Sequence, residues 1–580
     1  MGKPVYLGKI RLRWCDECNV PLAGKRCSVC GNEGRLVKIT PPGEVRIGFE
    51  GELEILREVI ERQFGCTFGR KMVLFNRVPH RDRMDEIIVD GYVIGNLTYV
   101  PDESKFKFTL RMEGAVLLNS CADKGWVVAD DGAVEPILSG RNLMVPGVRN
   151  CAEGLSNGDE VIVRDSAGSP IAVGIAKMSC EDMKKRERGM AVKIRHSGSI
   201  SVNWGDDSSI EKVIAANIEH IKKIEKEAVQ FIKKVHSDVQ LPLAVSFSGG
   251  KDSLATLLLA IESGEKFSTF FLDTGIELPE TVRYVKELNE KYKLNIDVIS
   301  AGTAFWKALN IFGPPARDYR WCCKVTKLGP TTKYILEKYP EGLLTLVGQR
   351  RYESEERMKK GRIWKNEWVP NQFSASPIQN WTSLEVWLYI LWKDAPYNPW
   401  YDRGLTRIGC YLCPSADLAD LELVAKYYEG VDRWRRYLMR FAKENGIPVD
   451  WARSAWRWRH PPSWAGSYHV ERSYLRIEFK GTHWKKIALE NGVDKDRVLN
   501  MLIALPPGTW REESFEVAEE HVKEAESLIK RAIGCVGCGV CLGRCPTGAL
   551  YLDDEGKIRI KEDACIHCLD CMGPCPAEDF

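Results

Sequence analysis

Leu243-Ala-Val-Ser-Phe247, Ser248-Gly-Gly-Lys-Asp-Ser253 and Leu254-Ala-Thr-Leu-Leu-Leu-Ala-Ile261 follow one another without a break. The first is an apolar run of the kind that forms a strand buried on both faces. The last continues as an apolar helix. Between them a Gly-rich turn opens the helix, and such a junction is an anion site. The first-turn N–H groups are unpaired, the helix dipole favours negative charge, and glycines let an oxyanion approach the backbone. Ser248 and Ser253 add hydroxyls, and Lys251 adds a charge. The Walker pattern is excluded, because it needs four residues between its first glycine and Gly-Lys.

Working outward, residues 240–420 alternate strand-like and helix-like segments, which predicts a doubly wound parallel sheet with helices on both faces. Ligands in such sheets sit beyond the carboxyl ends of strands. Two further strands, 267–272 and 343–347, end in chemistry. The first runs into Asp273-Thr-Gly-Ile-Glu-Leu-Pro-Glu-Thr281 and the second into Gly348-Gln-Arg-Arg-Tyr-Glu-Ser354. Arg350 and Arg351 can fork onto phosphate or sulfate oxygens. Cys322-Cys323 and Cys410-x2-Cys413 complete the segment.

The loop resembles that of the PP-loop, or adenine-nucleotide alpha-hydrolase, superfamily. With the two later motifs and the paired cysteines, the segment resembles the phosphoadenylyl-sulfate (PAPS) reductase family, and its cysteines resemble those of the adenylyl-sulfate (APS) reductase branch. The resemblance implies an adenine nucleotide bound by Ser248, Gly249, Gly250, Lys251, Asp252, Ser253, Asp273, Thr274, Gly275, Arg350 and Arg351, with Lys251, Asp252 and Arg350 catalytic. It implies a 4Fe-4S cluster on Cys322, Cys323, Cys410 and Cys413, for which Zn(Cys)4 is the alternative.

The flanks add modules. Residues 1–40 carry Cys15-x2-Cys18 and Cys27-x2-Cys30, which resemble a zinc ribbon; a rubredoxin-like iron is the competitor. Residues 41–125 form a small α/β domain with no nameable chemistry. Residues 126–200 alternate short strands and turns and resemble a PUA domain, a β-barrel-like module of RNA-modifying enzymes. Its basic stretch Lys184-Lys-Arg-Glu-Arg188 suits phosphates, or is a solvated loop. Residues 201–239 are a connecting amphipathic helix. Residues 421–530 read as a helical extension rich in Trp and Arg, suited either to stacking bases of single-stranded RNA or to packing on a neighbouring domain. Residues 531–580 repeat Cys-x2-Cys-x2-Cys-x3-Cys-Pro, the two-cluster ferredoxin pattern, in which the fourth cysteine of each run serves the other cluster. The expected ligand sets are Cys535, Cys538, Cys541 and Cys575, and Cys545, Cys565, Cys568 and Cys571. The expected fold is multidomain α/β, with a small barrel, a zinc ribbon and an α+β ferredoxin tail.

A chain of 580 residues requires several cores. A net charge of +3 leaves nucleic-acid contact to local patches. No apolar run reaches membrane-spanning length, and Met1-Gly-Lys-Pro-Val-Tyr6 lacks a signal-peptide core, so no membrane partner is expected. Of twenty cysteines, sixteen fall into the four sets. Cys66, Cys121, Cys151 and Cys180 are left, and they read as small core residues. Clustered thiolates call for a reducing compartment, hence a cytoplasmic location.

The sum predicts an oxidoreductase with three 4Fe-4S clusters and Zn2+. It would cleave APS or PAPS to sulfite, with electrons passing from an external low-potential donor through its own ferredoxin domain. Two departures from the family favour an alternative. No Glu-Cys-Gly-Leu/Ile-His tail supplies the nucleophilic cysteine, and the PP-loop is intact, as ATP cleavage requires. The alternative is ATP-dependent thiolation of tRNA held by the PUA-like domain, with Mg2+ accompanying ATP.

Overall fold

The computed structural model describes residues 10–369, 371–466, 468 and 477–578. The stretch Met1–Tyr6 lies outside them. Among the described residues no helix is long and apolar enough to cross a membrane.

The centre is a six-stranded sheet in the order Asp297–Ser300, Ser268–Asp273, Leu243–Phe247, Leu343–Val347, Gln372–Ala375, Ile363–Lys365. The first five strands are parallel and the last is antiparallel. The chain enters in the middle, builds one side, then crosses to build the other. The switch therefore falls between Leu243–Phe247 and Leu343–Val347, where such sheets open a ligand crevice. Helix Lys251–Ser263 starts at this point, and its residues Leu254–Ala260 are all buried, as expected of a helix lying across a sheet.

Four smaller units surround the sheet. Strands Arg13–Cys15, Val20–Leu22 and Arg35–Leu36 carry the first cysteine set and rest on the helix Ile210–Val239. There the buried Asn217 accepts from the Ala23 N–H at 2.8 Å and donates to the Pro21 carbonyl at 2.9 Å. A five-stranded antiparallel meander, from Val45–Ile47 to Lys105–Leu110, packs under the helices Glu50–Phe64 and Met112–Leu118. Another six-stranded sheet, from Trp126–Ala129 to Met190–Ser197, encloses its own core around Val161, Val163, Ala172 and Val192. The tail pairs Leu550–Leu552 with Ile558–Ile560.

Two expectations need correction, and one open alternative is decided. Residues 421–530 are not helical throughout. Strands Glu478–Lys480, Trp484–Ala488, Glu516–Ala518 and Trp510–Arg511 form an antiparallel sheet there, too short and too mixed in polarity to show a period in the sequence. Trp434, Trp451 and Trp456 are core residues of that extension, at 2%, 0% and 2% exposure, so these rings pack and are not a base-stacking surface. The four single cysteines are paired, Cys66 with Cys121 and Cys151 with Cys180, at Cα separations of 5.8 and 5.7 Å.

The small α/β domain is a brace. Asp82 accepts from the N–H groups of Leu418 and Ala419, at 2.9 and 3.1 Å, and so caps the helix Leu418–Ala425 just beyond Cys413. The guanidinium of Arg457, 0% exposed, reaches Asp82 at 3.3 Å. Arg83 donates to the Gly404 carbonyl at 3.0 Å and faces Asp85, Glu52 and Asp420. Each of these charges is buried with a partner, the condition under which burying charge is tolerated.

Candidate functional site

At the switch point Gly249 adopts a left-handed φ of +75°, and a Cβ there would press on Thr281. Gly250 caps the helix in extended conformation. Inside the turn the Ser253 hydroxyl donates to the Gly250 carbonyl at 2.8 Å and accepts from the Ser248 N–H at 3.1 Å. The Lys251 N–H donates to the Tyr401 hydroxyl at 2.9 Å. A Cβ on Gly348 would collide with the backbone of Asp252, so the end of Leu343–Val347 lies directly against the loop.

The charges form a chain. Lys251 Nζ meets Asp252 at 2.5 Å, Asp252 meets Arg350 Nε at 2.6 Å, and Arg350 Nη1 meets Glu44 at 2.6 Å. Burial would raise the Asp252 carboxyl, but Arg350 and Lys251 overcome it and hold it down at about 2. Burial lowers Lys251 in spite of Asp252. Arg350 is therefore engaged on both sides by carboxylates, and is not the free fork expected from the sequence. Each oxygen of Asp252 likewise meets one cation, Oδ2 facing Lys251 and Oδ1 facing Arg350. The unspent donors are Nε of Arg351 and Nε2 of Gln349, both buried without a hydrogen-bond partner. Buried donors of this kind are costly unless something meets them.

The neighbouring strand end leads to the second cysteine set. Asp273 accepts from the Gly275 N–H at 2.9 Å, and Thr274 lies 3.5 Å from the Cys410 sulfur and donates to Glu277 at 2.8 Å. Glu277 is itself 3.5 Å from that sulfur. Cys322 and Cys323 end the short helix Trp321–Cys323 and run into a π-helical turn, Lys324–Leu328. Pro330 follows and has no N–H to close an ordinary α-turn. The Cys322 thiol holds the Cys323 thiol well below its usual range by hydrogen bonding, and Arg320 and Lys327 add to this against burial. Burial pushes Cys410 up to about 12. Lys327 is raised, first by Cys410 and then by Glu277.

Spacing separates the four sets. A Zn(Cys)4 tetrahedron with bonds of about 2.3 Å has sulfurs about 3.8 Å apart. Cys15 to Cys30 is 3.5 Å and Cys18 to Cys27 is 3.8 Å. Among the described residues, only this set brings all its sulfurs within 4.8 Å. In the tail, one small cavity of about 20 Å³ is lined by Cys535, Cys538, Cys541 and Cys575. Another of about 20 Å³ is lined by Cys545, Cys565, Cys568 and Cys571. The first cavity abuts the nucleotide domain: a Cβ on Gly329 would strike the Cys538 carbonyl, and Cys575 and Ala577 share a core with Phe312, Trp321 and Cys322.

Glu44, Tyr401 and Gly329 were not singled out from the sequence. Glu277 stands inside the Asp-Thr-Gly segment, and Lys327 ends the cationic stretch Arg320–Lys327 around the paired cysteines.

Comparison with known proteins agrees with this layout. Residues 242–416 match the phosphoadenosine phosphosulfate reductase domain, residues 125–198 the PUA domain, and residues 534–578 the 4Fe-4S dicluster domain. The uncharacterized protein MJ0066 of Methanocaldococcus jannaschii is 35% identical over 471 residues, covering 78% of this chain and 98% of that protein. An adenosine 5'-phosphosulfate reductase of Salinibacter ruber is 29% identical over 157 residues, 26% of this chain and 60% of that protein. A solved phosphoadenylyl-sulfate reductase from Candida auris is 19% identical, covers 37% of this chain and 98% of that one, and has a TM-score of 0.26.

Proposed function

The chain belongs to the phosphoadenosine phosphosulfate reductase family, here joined to a PUA domain and a 4Fe-4S dicluster domain, and on that premise we propose that it reduces sulfur carried on an adenylyl nucleotide. The observation that carries this reading is the direct packing of the Cys535, Cys538, Cys541 and Cys575 half of the tail on the segment bearing Cys322 and Cys323. A one-electron carrier built against a nucleotide domain serves a reduction.

In this reading APS or PAPS lies along the switch-point crevice. Backbone N–H groups of 248–253, Lys251 and the unspent donors of Gln349 and Arg351 receive phosphate and sulfate oxygens. Asp273, Thr274 and Gly275 line the adjoining strand end. Arg350 holds Asp252, and through it Lys251, in place. The two tail sets and Cys322, Cys323, Cys410 and Cys413 would hold 4Fe-4S clusters, which supply electrons one at a time. Two electrons enter, the sulfur–oxygen bond to the phosphate breaks, and sulfite leaves with AMP or the bisphosphate. The reductant is an external low-potential one-electron donor.

A second reading is ATP-dependent thiolation of tRNA. It is favoured by the PUA match and by the exposed Lys184, Lys185, Arg186 and Arg188 within it. ATP with Mg2+ would require Asp252 to release Lys251 or Arg350.

Anaerobic protein with reduced donor, offered APS, PAPS, or ATP with bulk tRNA, decides between them. Sulfite with AMP or the bisphosphate is the expected result. Pyrophosphate release that depends on tRNA, without sulfite, would replace the first reading by the second.

A further inference from the structure

The tail contains a cation that the cysteine repeat does not require. Arg531 lies on the helix Val522–Gly534 and is 0% exposed. It lines the cavity of Cys535, Cys538, Cys541 and Cys575. Its Nη2 donates at 2.7 Å to the carbonyl of Cys571, a residue of the other set. Nε donates at 3.1 Å to Glu578, which Nη2 also contacts. Nη1 is buried with no hydrogen-bond partner. A guanidinium left with an orphaned donor in a closed interior is expensive as packing. It is explained if negative charge resides in the space it faces.

The two cavities differ in this respect. Apart from its cysteines, the second is lined by Thr547, Ala504, Ala549 and aliphatic side chains, with no cation. Glu578, the counter-charge of Arg531, is itself only 10% exposed and does not line the first cavity; it engages Nε and Nη2, which leaves Nη1 as the donor without a partner. Exposure differs too. Cys568 of the second set is exposed, whereas Cys535, Cys541 and Cys575 of the first are buried.

The geometry points to Arg531 as a positioning residue that makes the two tail sites unequal, so that the site of Cys535, Cys538, Cys541 and Cys575 is the more easily reduced. Reduction adds negative charge, and a buried cation in contact favours the reduced form. The inference rests on the iron–sulfur reading of the tail. Its consequence is directional. Electrons delivered by a low-potential donor protein at the exposed Cys568 side are retained at the site that touches the nucleotide domain through Gly329.

The test is a redox titration of the anaerobic full-length chain, followed by electron paramagnetic resonance with iron counted in parallel. Two tail potentials are expected, and Cys568→Ser should disturb the lower one. Arg531→Met should lower the higher potential and bring the two together, while Arg531→Lys should preserve the split. Arg531→Met with full iron and both potentials unchanged, or both lowered alike, overturns the proposal. If Arg531→Met fails to load iron, Glu578→Gln decides: removing the counter-charge should raise the higher potential, and no rise overturns the proposal. Absence of tail iron in the parent chain removes the iron–sulfur reading, and the inference with it.

Discussion

The cysteine set of the N-terminal ribbon and that of the nucleotide domain are both four thiols, yet they are assembled in opposite ways. Cys15, Cys18, Cys27 and Cys30 come from one short hairpin unit whose sulfurs already stand at zinc spacing. Cys322, Cys323, Cys410 and Cys413 come from two distant segments, each held by other parts of the chain. The Cys413 side depends on Asp82, which caps the following helix from another domain. Arg320 lies 3.4 Å from the Cys323 sulfur, and Lys327 is raised by Cys410. A site that only has to hold itself together can be local. One assembled from distant segments is built by the tertiary structure, here with Arg320 and Lys327 beside it.

This contrast can be broken by experiment. The largest effect is expected from Asp82→Ala, which leaves Arg457 buried without its carboxylate, at a cost of about 3–5 kcal/mol. Urea unfolding should report that loss. Metal analysis of the folded fraction should find zinc retained and iron reduced by one cluster, and loss of zinc would contradict the independence of the two sites. A smaller effect concerns pH. Burial raises Asp420 to about 6, with Arg83 opposing and Asp417 reinforcing. An acid raised in the folded state favours folding below its unfolded value near 4, and that contribution is lost as pH rises through about 6. Asp420→Asn should flatten the fall in stability between pH 4 and 6, by on the order of 2 kcal/mol. Asp252, held at about 2, works in the opposite sense and contributes stability that is lost as pH falls below 4. The smallest effect belongs to the ribbon surface. Arg35→Ala removes an exposed ion pair with Asp16 and should cost under about 1 kcal/mol, with zinc content unchanged.

What could be read from the sequence was what is local. The strand, loop and helix around 248–253 lie in consecutive residues, and the tail repeats its cysteines at fixed intervals, so both were legible. Glu44, Asp82 and Arg83 were not, because a single charged residue has no period and their partners lie some three hundred residues away in the chain. Arg350 looked like an anion fork for the same reason. Only the fold reveals that Glu44 and Asp252 already occupy it. The disulfides escaped because four scattered cysteines do not specify a connectivity.

The contact between Gly329 and the Cys538 carbonyl leaves no room for a side chain between tail and nucleotide domain. A separate ferredoxin would have to find this face by diffusion, at a rate set by its concentration and slowed or hastened by salt. On the proposed reading, covalent connection replaces that encounter, and the local concentration of carrier at the nucleotide domain is fixed by the chain itself. Turnover inside the molecule should then be indifferent to dilution, and only the first handover, at the outer end of the tail, should still behave as a collision.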